Sequence, residues 1–239
     1  MSTFKTDLYE ICKDVAREFA GWTFTSGQFK SKSLKHTDLI IHPGFGFEHG
    51  TTPLQPSVTI DNKRAMKLSK LLLGIERSTS IVSFQVVSQL LKHTPVNLRL
   101  GGWVVEDRAA FLAASPNPKA IEDQIVDFAE VRDVLVATMK DGISFIETHY
   151  DLSSEENLLK GLPAKYATRH ANSPYDQMEM QKGVMVCIVH VLLGDFDFIE
   201  RYSSDAFETV FPKRVEELNR ILAALPELKR RYAETGSVV

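Results

Sequence analysis

His36, His42, Glu48 and His49 fall within one short stretch of this 239-residue chain, and their side chains could bind a metal or move a proton. Imidazole and carboxylate are zinc ligands, and the surrounding loop of residues 43–56, rich in Gly44, Gly46, Gly50, Pro53 and Pro56, is irregular enough to gather them. Their spacing matches neither H-E-x-x-H nor paired C-x-x-C, so the other reading is a surface loop with incidental histidines. On that reading His42, Phe45, Glu48 and His49 form a loop suited to touching a partner, and no metal or cofactor is expected.

Other chemistries are excluded one by one. Gly44-Phe45-Gly46 follows a strand pattern, but the next glycine is Gly50 and two prolines come after it where a dinucleotide loop needs a helix N-terminus. No G-x-S-x-G elbow occurs. Asp195-Phe196-Asp197 follows Gly194 and reads as a helix cap with first-turn acids. His190 lies in the most apolar stretch, Gly183 to Gly194, and reads as a core histidine. Cys12 and Cys187 each sit in an apolar helical pattern and read as reduced core thiols.

The remaining candidate is acidic. Asp123, Asp127 and Glu130 are spaced i, i+4 and i+7, with Glu122 and Asp133 beside them, so a helix here would carry one negative stripe. Such a stripe is either a solvated face or a surface that steers a basic partner. The net charge of -3 hides a division: residues 1–103 carry a balance of +5, residues 104–160 one of −7 and residues 161–239 one of −1. This is not the basic balance of a nucleic-acid-binding chain, and the Lys229-Arg230-Arg231 run lacks interleaved aromatics.

The elements that must position these residues follow from periodicity. Leu8, Ile11, Cys12, Val15, Ala16 and Phe19 make one helical stripe, capped by Thr6 and ended by Gly21. Trp22 and Phe24, the Ser26-Gly27 turn and Phe29 predict a hairpin, Asp38–His42 a third strand, and Val58 with Ile60 another. Asp61 or Asn62 caps a helix stopped by Gly74. Residues 80–105 predict a hairpin, with Gly101-Gly102 marking a bulge or a close backbone approach. Asn117-Pro118 starts a long helix through Ile121, Ile125, Phe128, Leu135 and Met139 to Gly142. Ser153 with Glu156 forms a capping box, Ser173-Pro174 opens a helix whose second half, Val184 to Leu193, is apolar almost all round, Phe196, Ile199 and Tyr202 start the next, and Pro212 opens a last one kinked at Pro226.

The apolar share of 44% and charged share of 25% are those of a folded globular chain. The expected class is α+β: a mixed or mainly antiparallel sheet in residues 1–105, packed by helices, and a helical part in residues 106–239, the two packed as one unit. Early charges at Lys5, Asp7, Glu10, Lys13 and Asp14 argue against a signal peptide, and no stretch reaches the roughly 20 apolar residues of a bilayer span. A cytoplasmic location is therefore expected, with no membrane partner.

A layout joins these observations. It comprises the N-terminal helix, Gly21-Trp22 and Gly27-Gln28-Phe29-Lys30-Ser31-Lys32, the Leu39-Ile40-Ile41 and Gln55–Ile60 strands, Asp141–Glu147, and the Leu192-Leu193-Gly194-Asp195 break. In this layout the chain resembles small bacterial proteins of uncharacterised domain type, some of them similar to immunity proteins encoded beside polymorphic or contact-delivered toxins. The resemblance implies a cytoplasmic, non-enzymatic protein that binds a cognate toxin and inhibits it by surface occlusion, without touching nucleic acid directly. Two alternatives stand beside it: a small metal-dependent enzyme using the 36–49 histidines, and an adaptor or assembly protein.

Overall fold

A computed structural model describes residues 3–76, 101–166, 176–204 and 215–239. The fold is α+β. The chain divides into two compact units, both discontinuous in sequence. The first comprises Met1–Ser33, Asp38–Thr59 and Val82–His149, the second Leu34–Thr37, Ile60–Ile81 and Tyr150–Val239. The expected boundary at residue 105 therefore falls inside the first unit, because strand pairing ties segments on both sides of it together.

In the first unit, helix α1 (Thr3–Arg17) buries Leu8, Cys12, Val15 and Ala16, with Phe4 extending the same stripe. Each large apolar side chain removed from water in this way contributes about 1.5–3 kcal/mol. The helix begins at Thr3 and ends at Arg17, so Thr6 lies within it and is not its cap. Strands β1 (Trp22–Thr25) and β2 (Gln28–Ser31) form the expected hairpin. Its turn places Ser26 at φ 53° and Gly27 at φ 77°, the pair of left-handed residues that matches the twist of two strands. Strand β3 (Thr37–His42) pairs antiparallel with β2, and one sheet runs in the order β1-β2-β3-β5, where β5 is Ser57–Asn62.

A second sheet is less evident from the sequence. Residues 51–54, expected within an irregular loop, form β4 (Thr51–Leu54), which pairs antiparallel with β6 (Gly102–Val105). Pro53, which has no N–H to donate, is tolerated because β4 is an edge strand. After β6 come α3 (Arg108–Ala114), the single turn α4 (Pro118–Ile121), a 3-10 turn (Glu122–Gln124) and β7 (Ile125–Asp127), which lies parallel to β6. Gly102 makes this possible: a Cβ there would lie 2.2 Å from the Gln124 carbonyl oxygen, the close approach its glycine predicted.

The long helix expected from Pro118 to Gly142 is thus broken in two, and helix α5 (Val131–His149) starts only after β7. Gly142 does not end α5. It is buried within it, where a Cβ would come 2.5 Å from Ile41 Cδ1.

The second unit is helical. Asn62 Oδ1 accepts from Ala65 N–H at 3.0 Å to start α2 (Lys63–Leu73), and Gly74 at φ 75° ends it, as expected. Helix α7 (Asp176–Leu192) is buried at Val184 through Val189, at Val191 and at Leu192. It is packed by α2, α6 (Glu155–Tyr166), α8 (Phe196–Ser203) and α9 (Val215–Thr235). The cap of α6 is Ser154, whose Oγ accepts from Asn157 N–H at 3.0 Å, and not the expected Ser153, which donates to Asp151. Helix α9 continues across Pro226 to Thr235. The hairpin expected over 80–105 lies outside the described residues up to position 100, as do the helix starts expected at Ser173-Pro174 and Pro212. Among the described residues no helix is long and apolar enough to cross a membrane.

Candidate functional site

The glycine- and proline-rich loop folds into tight local structure. Gly44, at φ 80°, lets the chain pass the Gln55 carbonyl oxygen, which a Cβ would meet at 2.3 Å, and Gln55 N–H donates to Pro43 C=O at 2.9 Å. Residues 48–51 reverse direction, with Glu48 and Thr51 exchanging backbone hydrogen bonds at 2.9 and 2.8 Å across His49 and Gly50. Gly50 adopts φ 70°, so Glu48 and His49 are carried on an exposed turn.

His42 points elsewhere: its Nε2 contacts Thr59 Oγ1. His36 belongs to the second unit, where its backbone is tied to Glu155 and Lys63. No three His, Cys, Asp or Glu side chains gather as a metal-holding group among the described residues, so the four candidate ligands are not brought together.

The acidic stripe is corrected too. Glu122 and Asp123 lie exposed on the 3-10 turn, Asp127 ends β7, Glu130 lies in the following turn, and Asp133 is in the first turn of α5. They do not share a helix face, because Ile125–Asp127 pair with Trp103–Val105 instead of continuing a helix. Asp127 is bound to Arg108 at 3.3 Å, and the Arg132 guanidinium lies 3.9 Å from Asp133.

What the first unit does assemble is an open cleft of about 1100 Å³. Helix α1 supplies Phe4 and Lys5, the 48–51 turn and its approach supply Phe47, Glu48, His49, Gly50 and Thr51, and the β6–α3 junction supplies Glu106 and Asp107. Ala110, Phe111 and Ala114 complete it from one face of α3. The apolar wall is aromatic and braced from behind. Phe47 packs edge-on against Tyr9 at 5.4 Å and near Phe45 at 5.6 Å, and Phe111 lies 5.9 Å from Trp103.

The Lys5 ammonium rests over Phe47 at 5.1 Å and Tyr9 at 5.5 Å, within cation–π range. Glu106 is set by its backbone N–H, which donates to Gly50 C=O at 2.9 Å. Asp107 caps α3 by accepting from Ala110 N–H at 2.9 Å. Thr51 Oγ1 is buried without a hydrogen-bond partner. Neither Glu48 nor Glu106 meets a basic side chain among the described residues. Of the sequence candidates, Glu48 and His49 line this cleft, and Phe45 supports it through Phe47. Lys5, Glu106 and Phe111 are not among those candidates, although Glu106-Asp107 directly after a strand is a visible signal.

Among the described residues of the second unit, several polar groups are occupied with each other. Glu155 accepts from His36 N–H at 2.5 Å, Thr37 Oγ1 at 3.0 Å and Asn62 Nδ2 at 3.0 Å, with Thr37 and Asn62 both fully buried. His190 Nδ1 meets Asp195 Oδ2 at 2.9 Å, and its ring stacks on Phe198 at 3.6 Å. Burial holds His190 below the ordinary histidine value, outweighing the Asp195 carboxylate that pulls the other way. Asp195 also caps α8 through Phe198 N–H, as the sequence suggested. Burial likewise pushes both Cys12 and Cys187 thiols well up, which keeps them unreactive. Two residues of the C-terminal basic run are paired: Arg230 binds Glu227 and Glu234, and Lys229 binds Glu200.

No family model, curated protein or solved structure matches this chain.

Proposed function

We propose that this chain is an immunity-type protein of the bacterial cytoplasm, which binds a cognate toxin and inhibits it by covering the surface the toxin works with. The observation that carries this reading is the cleft of the first unit: a braced aromatic wall edged by Glu48 and Glu106, neither of which meets a basic side chain among the described residues. A surface of that composition has apolar area for anchoring and uncompensated charge for steering, the two ingredients of a specific protein interface. The resemblance in layout supports the same class. Among the described residues of the second unit, Glu155, His190 and Asp195 are occupied in holding the fold.

The test uses the product of the adjacent reading frame, purified and assayed for its own toxic activity while this protein is titrated in. Suppression complete near one equivalent is the expected result. Neither complex nor suppression would contradict the reading, and a stable complex with undiminished activity would move it to the adaptor class.

A further inference from the structure

The cleft of the first unit carries information about its ligand. Its wall already holds a cation: the protein's own Lys5 lies over the Phe47 and Tyr9 rings. Those rings are fixed in place, since Tyr9 also packs on Phe24 at 5.2 Å and Phe47 on Phe4 at 6.2 Å. Aromatic rings favour a guanidinium, which is planar and weakly hydrated, over an ammonium. The same cleft is lined by Glu48, Glu106 and the apolar Phe111, and Thr51, which also lines it, has a buried hydroxyl lacking a partner.

From these we infer that the cleft recognises a protein segment in which arginine stands beside an aromatic residue. The guanidinium displaces Lys5 from the rings, the carboxylates meet the remaining positive charge, and the aromatic side chain packs on Phe111. Nucleic acid and acidic peptides are repelled by the same carboxylates. This rests on the binding-protein reading above, but it assigns the face and the chemistry of the partner. It also makes Lys5 a competitor: a like charge sitting in the ligand's seat.

The probe is an acetylated, amidated Arg-Phe-Arg-Phe-Arg peptide, titrated calorimetrically into the full chain, with Glu-Phe-Glu-Phe-Glu as control. The basic peptide should bind and the acidic one should not. Affinity should fall about tenfold in Glu106→Lys and rise about threefold in Lys5→Ala. It should also weaken between low and high salt. Glu106 is exposed and Lys5 half-buried, and an unchanged unfolding midpoint confirms that each variant is folded.

Equal binding of the two peptides, no binding of the basic one, or a loss of affinity in Lys5→Ala would each overturn the assignment. If any of these occurs while the toxin titration still shows equimolar suppression, the cleft assignment falls and the binding-protein reading survives. Failure of both removes both.

Discussion

Two groups of carboxylates in this molecule have opposite surroundings. In the second unit, Glu155 accepts from one backbone and two side-chain donors, and Asp195 serves both His190 and the start of α8. In the first unit, Glu48 and Glu106 line an open cleft beside aromatic rings and meet no basic side chain among the described residues. The comparison separates two uses of the same side chain. A carboxylate that satisfies buried donors is part of the fold, and removing it strands those donors. A carboxylate held at the edge of a cleft by backbone geometry, without a basic partner, is available to something outside the chain.

The sharpest way to break the comparison is Glu155→Ala. It leaves the buried Thr37 hydroxyl and the His36 N–H without the acceptor they share, takes one of the acceptors of the Asn62 amide, and should lower unfolding free energy by about 3 kcal/mol in urea titrations. Next comes Asn62→Ala, which removes the α2 cap and two further bonds and should cost about 2 kcal/mol by the same measurement.

A smaller effect is expected from pH. The folded state holds His190 below its ordinary value, so below about pH 6.5 the unfolded chain takes up the proton first and stability falls with acidification. His190→Gln should flatten that decline, seen as a smaller shift of the urea midpoint between pH 7 and pH 5. Smallest of all, Glu48→Lys with Glu106→Lys should leave unfolding free energy within about 0.5 kcal/mol. A loss as large as that of Glu155→Ala would erase the distinction.

The parts of the fold that were legible in the sequence are those decided locally. The α1 stripe, the Ser26-Gly27 turn, the Asn62 and Gly74 caps of α2 and the apolar α7 all follow from residues within a turn or two of one another. Strand β7 was illegible because Ile121, Ile125 and Phe128 also fit a helical period. What decided it was a distant partner, β6, and a glycine at 102 with no Cβ to hold the chains apart. Gly142 misled for a related reason: it reads as a helix stop, yet serves close packing against Ile41 from another element.

The Glu155 cluster joins residues 93 to 119 positions apart, so no spacing rule could announce it. The cleft was half visible. Glu48 and His49 stand out for metal chemistry, whereas their neighbours in space, Lys5, Glu106 and Phe111, come from segments that only folding brings together.

The most direct measurement takes the Glu48→Lys, Glu106→Lys double variant and determines, on the same preparation, its urea unfolding free energy and its capacity to suppress the adjacent-frame toxin. If these acids are kept for a partner, suppression requires at least tenfold more protein while the unfolding free energy stays put. If instead suppression is unaltered and the unfolding free energy drops, the cleft acids belong to the fold and the partner docks elsewhere.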